Sequence, residues 1–282
     1  MTEAQSADTL RQWTDTSKYW TKHSDTIRQM FSPLTEALIE DAAIVQGQTV
    51  LDVAGGAGEP SLTIAATVAP HGSVMCTDAV AKMVEAAQTQ ALQQGLRNIQ
   101  FRQCSADSLP FPENSFDAAV SRLGAMFFPD PEAAFREMLR VTKPHGRVGF
   151  VVWGKSELNP FSYLVTNVVD RYVPAPPEDK DAPGAFRFAE SGKLAAILRD
   201  AGAAGVRERV FKFDIAAPIS PAEFWQMRSA ISESLRTKLE KLSADERARI
   251  AAEVQESVAG FFPNNQMSIP AQMLIVSGSK PG

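Results

Sequence analysis

The sequence predicts an α/β fold in which a doubly wound, mainly parallel sheet is covered by helices on both faces. Strand and helix patterns alternate between Thr49 and Trp153, and such alternation is typical of a parallel sheet. A glycine-rich segment at residues 54–58 joins the first strand of this region to its first helix. The composition, 44% hydrophobic and 22% charged over 282 residues, is that of a globular protein with a buried core.

Helical patterns precede this region. Residues 1–46 start with polar side chains and then contain a pair, Ser32-Pro33, followed by apolar residues at helical spacing. Because proline is favoured in the first turn of a helix, the pair predicts that a helix begins there. An aromatic cluster lies in the same segment and comprises Trp13, Tyr19 and Trp20.

Five strands and three helices are expected in the alternating region. Each strand is a short apolar run, and the helices show apolar residues at helical spacing or a capping signal. The strands are Thr49 to Val53, Ser73 to Thr77, Ile99 to Gln103, Phe116 to Ser121 and Arg147 to Trp153. The helices are Glu59 to Val68, Val80 to Gln94 and one opened by Asp130-Pro131, which a turn at residues 143–146 follows.

Two more strands and three more helices are expected after Trp153. A serine with a glutamate three residues later is a capping box, and glycine commonly closes a helix. The helices are one capped by Ser191 and closed by Gly202, one from Pro221 to Leu239, and one opened by Ser243 and Glu246 that reaches Val258. The strands are Val206 to Ile215 and Gln272 to Ser277.

The charge and the cysteine content exclude several classes of protein. A net charge of −5 with interleaved signs gives no electrostatic footprint for nucleic acid. Two cysteines, Cys76 and Cys104, and three scattered histidines give neither a disulfide framework nor metal-ligand spacing, so we expect no metal. The N-terminus lacks a signal-peptide pattern, and the most apolar run, 148–153, is too short to span a bilayer. We therefore expect a cytoplasmic protein. Its expected oligomeric state is a monomer or a homodimer.

The glycine-rich loop predicts a nucleotide-containing ligand. Glycines allow the sharp turn and let a ligand approach the backbone closely. Asp78 ends the second strand, 20 residues after Gly58, where a carboxylate can accept hydrogen bonds from ribose hydroxyls. The alternative is that the glycines only make a tight turn and that Asp78 caps the next helix. Together, the loop and Asp78 favour an adenosine-containing cofactor.

Three cofactor classes compete for this loop. A nicotinamide dinucleotide usually requires the spacing G-x-G-x-x-G, and a phosphate-binding P-loop requires a final Gly-Lys-Ser/Thr; the sequence has neither. Asp52 precedes the glycines inside the strand and could face a cationic group directly or through water. S-adenosylmethionine, which has no phosphate, fits these features.

Four motifs in this order resemble the class I S-adenosylmethionine-dependent methyltransferases. Within that class, they are similar to the type 11 domain branch that contains the ubiquinone and menaquinone C-methyltransferases. The motifs span about residues 47–153 and are residues 50–58, Thr77-Asp78 with Met83, residues 106–112 with 115–117, and residues 137–146. The resemblance implies a Rossmann-like, doubly wound, seven-stranded sheet, mostly parallel with an antiparallel last strand, a helical N-terminal lid and helical caps.

The resemblance also implies one domain, residues 1–282, in three parts. Residues 1–46 would form the lid and residues 47–153 the cofactor-binding core. Residues 154–282 would supply the remaining strands, with substrate-cap insertions at about 155–190 and 216–265.

The resemblance implies that one group of residues binds S-adenosylmethionine. The backbone from Ala54 to Gly58 would contact the methionine part and Asp78 the ribose. Ala79 and Met83 would lie beside the adenine, and residues 105–107 would face its edge. Ser105 stands where the family commonly has Asp or Asn, which puts a side-chain bond to the adenine amino group in doubt. The expected cofactor-binding residues are Asp52, Ala54, Gly55, Gly56, Gly58, Asp78, Ala79, Met83, Ser105, Ala106, Asp107 and Ser121.

The expected substrate is a small, apolar or aromatic methyl acceptor. Arg122 follows the fourth strand at the sheet edge where ligands lie, and could face the substrate or the cofactor carboxylate; a surface ion pair is the alternative. The expected substrate residues are Tyr19, Trp20, Arg122, Phe127 and Trp153, although aromatics near apolar strands are often core residues. His23 is the candidate base for an acceptor that loses a proton, unless it is a solvated residue on a helix surface.

Two other functions remain open at this point. The protein could bind S-adenosylmethionine without catalysis, as a regulatory or partner subunit. It could also be a nicotinamide-dependent reductase, although the loop spacing and the absence of a Tyr-x-x-x-Lys pair disfavour this.

Overall fold

A computed structural model describes residues 3–174 and 179–282, with side chains from residue 11 onward. In these ranges the strands are β1 (Thr49–Val53), β2 (Ser73–Asp78), β3 (Ile99–Gln103), β4 (Phe116–Arg122), β5 (Thr142–Trp153), β6 (Ala204–Ala217) and β7 (Met267–Ser279). The helices are α1 (Glu3–Lys22), α2 (Ser24–Asp41), α3 (Ser61–Val68), α4 (Ala81–Gln93), α5 (Pro131–Val141), α6 (Pro160–Val169), α7 (Lys193–Asp200), α8 (Pro221–Ile231), α9 (Glu233–Glu240) and α10 (Ala244–Val258). Residues 175–178, within the first predicted cap insertion, lie outside the described part.

One sheet of seven strands in the order β3-β2-β1-β4-β5-β7-β6 runs through the described part of the chain. Strands β1 to β5 are parallel, and β7 is antiparallel to both of its neighbours, β5 and β6. The predicted seven-stranded sheet with an antiparallel last strand is therefore confirmed. Strand order reverses at β1, which pairs with β2 on one side and β4 on the other, and such a switch point leaves a ligand-binding crevice at the carboxyl ends of the strands.

Two apolar cores lie on opposite faces of the sheet. Successive side chains of a strand point to opposite faces, so Val50 belongs to the core with α2, α3, α6, α8 and α10, and Leu51 to the core with α5 and α7. Both cores are continuous under β1 and β4. The crevice at the switch point therefore rests on rigid, buried strands.

Several predicted boundaries are confirmed. Asp130 caps α5, accepting a hydrogen bond from the Ala133 N–H at 2.9 Å. Ser243 and Glu246 form the predicted capping box of α10, which reaches Val258.

The helix start predicted at Ser32-Pro33 is wrong, because Pro33 lies inside α2. Proline cannot donate to the carbonyl of Gln29, four residues before it. The hydroxyl of Ser32 donates to that carbonyl at 3.2 Å, which replaces the missing bond and lets the helix continue.

Two other helix predictions are also wrong. The single helix expected from Pro221 to Leu239 is divided at Ser232, whose extended backbone and side-chain oxygen cap α9 by accepting from the Leu235 N–H. Ser191 does not cap α7, because its hydroxyl bonds to Glu208 and the cap is Gly192, which has a left-handed φ of 83°.

The predicted turn at residues 143–146 belongs to β5. Thr142 already pairs with Phe116, and the register then shifts so that Ala118 pairs with Arg147. The intervening residues, which include His145 with φ 62°, form an irregularity within the strand because both of its ends pair with β4. Strands β6 and β7 are also longer than expected, because they pair with each other along most of their length.

No helix in the described ranges is both long enough and apolar enough to cross a lipid bilayer.

Candidate cofactor and substrate site

A cavity of about 590 Å³ lies at the carboxyl ends of β1, β2 and β4. This volume is within the range of small-molecule sites. The glycine-rich loop, the end of β2, the segment after β3, the segment after β4 and the helices α1 and α2 line it. Segments that are far apart in the sequence therefore meet around one space.

The glycine-rich loop turns through left-handed backbone conformations. Ala54 has φ 60°, Gly56 has φ 55° and Gly58 has φ 125°. A Cβ atom added to Gly56 would meet no heavy atom within 4 Å, and Gly56 lines the cavity. A ligand can therefore lie directly against the backbone at this residue. Gly58 itself is packed on Leu62 and does not line the cavity.

Asp52 supports this loop from below. A Cβ atom on Gly55 would lie 2.7 Å from Asp52 Oδ2, so the loop rests on this fully buried carboxyl. The Ser61 hydroxyl donates to Oδ2 at 2.6 Å, and Oδ1 has no hydrogen-bond partner among the described residues. Burial raises the pKa of Asp52 to about 7, although Ser61 and Arg122 oppose the shift. Asp52 does not line the cavity.

Asp78 holds the loop to the end of β2. Its Oδ2 accepts from the Gly56 N–H at 3.0 Å and its Oδ1 from the Val80 N–H at 2.9 Å. Burial raises the pKa of Asp78, and the backbone hydrogen bonds oppose the shift. Each carboxylate oxygen can accept a further bond, and Asp78 lines the cavity. It can therefore accept bonds from a ligand while it fixes the loop.

The predicted adenine-binding residues lie together beside Asp78. Ala79 and Met83 line the cavity from the start of α4, and residues 105–107 line it from the segment after β3. The Ser105 hydroxyl donates to Asp107 Oδ1 at 2.5 Å. Ser105 is thus already bonded within the segment.

Arg122 is buried and bonded to several backbone and side-chain oxygens. It donates to the Phe31 carbonyl at 3.2 Å, the Thr35 hydroxyl at 2.7 Å and the Glu59 carbonyl at 3.3 Å. The guanidinium therefore ties α2 to the glycine-rich loop. It also lines the cavity, and its pKa is lowered by burial.

Glu59 and Arg28 line the cavity next to Arg122, and neither was among the site residues predicted from the sequence. The Thr63 hydroxyl is 2.9 and 3.1 Å from the two carboxylate oxygens of Glu59. Burial raises the pKa of Glu59, while Arg122 and Arg28 lower it. In the sequence, the position of Glu59 directly after the third loop glycine is the signal that could have identified it. No such signal exists for Arg28 in the sequence, because only the packing of α2 brings this side chain to the cavity.

Aromatic rings form another wall of the cavity. Trp13 lies with its ring centroid 5.9 Å from that of Trp20 and 5.0 Å from that of Phe127. All three line the cavity, as does Phe31. Trp20 and Phe127 were expected substrate residues; Trp13 was known from the sequence only as part of an aromatic cluster. This wall offers an apolar surface of tilted aromatic rings to a ligand.

Other predicted site residues lie away from the cavity lining. Tyr19 lies under the Arg236 guanidinium at 4.9 Å, and Trp153 stacks on Phe161 with centroids 6.1 Å apart. His23 lies between α1 and α2, where burial and the charge of Lys22 lower its pKa. The Ser121 hydroxyl is buried behind Gly124, without a partner in the described ranges. The functional roles assigned to these residues stay predictions.

Within residues 3–174 and 179–282, no group of three or more His, Cys, Asp or Glu side chains is arranged to hold a metal ion.

Residues 51–150 match the family model described as a methyltransferase domain. An uncharacterized protein of Mycobacterium tuberculosis strain H37Rv is 39% identical over 125 residues, which cover 44% of each chain. A ubiquinone/menaquinone biosynthesis C-methyltransferase of Hahella chejuensis is 36% identical over 135 residues, 48% of this chain and 53% of that protein. The matched region thus spans about half the length of these relatives.

The fold is shared with solved methyltransferase structures. A structure described as a SAM-dependent methyltransferase from Aquifex aeolicus superposes with a TM-score of 0.52 at 23% sequence identity. The match covers 69% of this chain and 90% of that one. At this identity the similarity concerns the fold.

Proposed function

We propose that this chain, which carries a class I S-adenosylmethionine-dependent methyltransferase domain, transfers a methyl group to a small apolar or aromatic acceptor by O- or C-methylation. One observation carries the proposal: a single cavity is lined by the glycine-rich loop, by Asp78, by residues 105–107 and by an aromatic wall. A cofactor and an acceptor would therefore lie side by side.

The residues present fit S-adenosylmethionine. Asp78 has free acceptor capacity for ribose hydroxyls, Met83 and Ala106 offer apolar contacts for the adenine ring, and the open space at Gly56 leaves room for the ribose and methionine carbons. Asp52, buried below the loop with Oδ1 unbonded in the described ranges, favours a cation above the loop when it is ionised. When bound, S-adenosylmethionine supplies an electrophilic methyl group on a sulfonium.

Glu59 and Arg28 would hold the amino-acid end of the cofactor. If the ribose lies on Asp78, the methionine part extends along the loop toward the end of β4, where both residues line the cavity. Within the described ranges, the Thr63 hydroxyl is the side-chain donor to the Glu59 carboxylate, so this carboxylate can also accept from an ammonium group. Arg28 can pair with the carboxylate, although it also contacts Asp25 at 3.3 Å.

The acceptor would lie against the aromatic wall of Trp13, Trp20 and Phe127. Methyl transfer is an in-line displacement, and holding the reactants in contact can supply up to about 7–11 kcal/mol of the barrier reduction. The aromatic rings exclude water and orient the acceptor. His23 stays our proposed base for an acceptor that must lose a proton; its neighbour Ser24 lines the cavity.

The N-terminal segment 1–46 would act as the lid in this arrangement, because α1 and α2 contribute Trp13, Trp20 and Phe31 to the cavity. The insertion at about 216–265 packs against the lid through α8, which contacts α1. The described part of the insertion at about 155–190 does so through Phe161, whose ring centroid is 6.1 Å from that of Phe31. Residues 1–282 would thus form one methyltransferase domain, with specificity for the acceptor set outside the core.

Titration of the purified protein with S-adenosylmethionine and S-adenosylhomocysteine, with NADH and NADPH as controls, tests the cofactor. Asp78→Asn is expected to weaken binding by about 1–3 kcal/mol, because a charged acceptor for ribose hydroxyls is lost. Asp117→Asn is the matched control. Asp117 also accepts a hydrogen bond from a backbone N–H, that of Thr49 at 2.8 Å, but it lies at the amino-terminal ends of the strands, away from the cavity.

The outcomes separate the alternatives. Binding of the nicotinamide cofactors alone would support the reductase. Binding of S-adenosylmethionine without turnover across phenols, enols and activated carbon acceptors would favour the non-catalytic protein. Equal affinity of Asp78→Asn and the wild type would contradict the ribose assignment.

Glu59→Gln tests the methionine end separately. We expect affinity for S-adenosylmethionine to fall by about 1.5–3 kcal/mol, because a hydrogen bond to a charged group is lost. Affinity for 5′-methylthioadenosine, which lacks the amino-acid end, should not change. The measurement is calorimetric titration with both compounds, and an equal loss for the two would show that Glu59 acts on the loop instead.

A further inference from the structure

One guanidinium, that of Arg122, connects two elements of the cavity wall that are far apart in the sequence. Its Nη1 donates to the Phe31 carbonyl at 3.2 Å and to the Thr35 hydroxyl at 2.7 Å, both in α2. Its Nη2 donates to the Glu59 carbonyl at 3.3 Å, at the end of the glycine-rich loop. Among the side chains that the structure describes, Arg122 alone hydrogen-bonds to both α2 and this loop. The position of α2 relative to the loop therefore depends on this side chain.

The burial of Arg122 indicates that these bonds set geometry more than they add stability. The residue is only 8% exposed, and the charges of Glu59 and Asp52 offset its burial only in part, so that its pKa is lowered. The cost of burying a charge cancels much of what its hydrogen bonds contribute to folding. What remains is a bridge that holds two segments at a defined separation.

The two elements that Arg122 connects carry the two charged residues proposed for the amino-acid end of the cofactor. Glu59 is the loop residue whose carbonyl Arg122 holds. Arg28 lies in α2, three residues before Phe31. Both charged side chains line the cavity. An amino acid carries its ammonium and its carboxylate on one carbon, so its recognition requires an anion and a cation at a fixed separation.

We infer that Arg122 is a positioning residue, which fixes Glu59 and Arg28 relative to each other and so favours ligands that carry the amino-acid end of the cofactor. This inference rests on the proposed function and deepens it. The sequence predicted that Arg122 contacts a substrate or a carboxylate directly; here it acts through the loop and α2. A pair of charges that is already in place binds a ligand more tightly, because less freedom is lost on binding.

The ribose side of the loop is held independently of Arg122. Asp78 accepts from the Gly56 N–H at 3.0 Å and from the Val80 N–H at 2.9 Å. Loss of Arg122 should therefore weaken ligands that have the amino-acid end and spare ligands that stop at the ribose and sulfur.

Arg147 is the matched control for Arg122. It also has a buried Nε without a partner in the described ranges, and it also donates to a carbonyl of α2, that of Asp41, at 3.2 Å. It lies in β5 and does not line the cavity. Arg147→Met therefore removes a buried guanidinium that holds α2 without removing a bond to the loop.

Calorimetric titration of the full chain with S-adenosylhomocysteine and with 5′-methylthioadenosine tests the inference. In Arg122→Met, affinity for S-adenosylhomocysteine should fall by at least about tenfold, as expected for loss of buried bonds to a charged group. Affinity for 5′-methylthioadenosine, which lacks the amino-acid end, should not change. Arg147→Met should keep the ratio of the two affinities that the wild type has.

Thr35→Val is a milder variant that serves if Arg122→Met does not fold. Thr35 is buried and does not line the cavity, so it can affect binding only through Arg122 or the fold. We expect a smaller loss of affinity that is again confined to S-adenosylhomocysteine. In the double variant with Arg122→Met, the threonine substitution should change this affinity no further, because residues that act through one bond are not additive.

Hydrogen exchange of the unliganded chain measures the bridge without any ligand. Arg122→Met should speed exchange just after the loop, where the Leu62 N–H donates to the Gly58 carbonyl. Arg147→Met should leave exchange there as in the wild type. If the wild type does not bind S-adenosylhomocysteine, the proposed function fails, and this comparison still tests whether Arg122 holds the loop.

Three results would overturn the inference. One is an equal loss of affinity for both compounds in Arg122→Met, which would identify a residue that only supports the fold. Another is the same selective loss in Arg147→Met. The third is unchanged binding of S-adenosylhomocysteine in Arg122→Met, or exchange at Leu62 that stays as slow as in the wild type.

Discussion

Replacing Gly56 by valine is expected to abolish binding of S-adenosylmethionine while the chain still folds. Gly56 has φ 55°, and a side chain there would project into open space that belongs to the cavity. A β-branched residue in the left-handed region costs about 1–2 kcal/mol, which a domain of ordinary stability tolerates. Its branches would occupy the space that the cofactor needs beside Asp78.

Gly47→Val is the matched control for this variant. Gly47 has φ 87°, a Cβ on it would also meet nothing within 4 Å, and it lies in the turn before β1, away from the cavity lining. Both variants should lose similar thermal stability, but only Gly56→Val should lose calorimetric binding of S-adenosylhomocysteine. If Gly56→Val bound it within about tenfold of the wild type, a loss of roughly 1.4 kcal/mol, the assignment of the loop would be wrong.

Asp52→Asn is expected to remove a large pH dependence of stability. Burial raises the pKa of Asp52 in the folded protein from 3.8 to about 7. The folded state therefore keeps a proton that the unfolded state releases, and the free energy of unfolding falls as pH rises from about 4 to about 7. One pKa unit corresponds to about 1.36 kcal/mol. Over this pH range, the free energy of unfolding therefore falls by about 4 kcal/mol.

Urea unfolding followed by circular dichroism at about pH 5 and about pH 8 measures this difference. The wild type should lose stability between the two, and Asp52→Asn should lose less and be the more stable protein at the higher pH. Ser61→Ala serves as the control, because it removes the hydroxyl that lowers the pKa of Asp52. The free energy of unfolding of this variant should continue to fall at higher pH than that of the wild type. The same pH dependence in the wild type and in Asp52→Asn would refute the account of Asp52.

The sheet and the region that matches a methyltransferase domain could be predicted because their signals are local. Alternating strand and helix patterns, the glycines at residues 54–58 and the acid that ends β2 are each encoded within a few neighbouring residues. Their order alone placed the loop and Asp78 at adjacent strand ends, because parallel strands put their carboxyl ends at one edge. The family match over residues 51–150 covers this same region.

Helix boundaries were less predictable where a single side chain decides them. Pro33 usually marks a helix start, but the bond from Ser32 to the Gln29 carbonyl permits a continuous helix. At Ser232, conversely, a hydrogen bond from the Leu235 N–H divides a segment whose apolar spacing favours one helix. Each outcome depends on a bond that competes with the backbone ladder, which apolar periodicity does not report.

By itself, the sequence determined the α/β fold, the seven strands and the region that matches a methyltransferase domain. It also predicted the glycine-rich loop and Asp78 as cofactor-binding features. Only the tertiary structure decided that Glu59 and Arg28 share a cavity and that Trp13 joins its aromatic wall. The physical reason is that these properties arise from the packing of α1 and α2 against the loop after β1 and the segment after β4, which are distant from these helices in the chain. Burial and pairing of a charge depend on which distant elements surround it, and no local pattern encodes that.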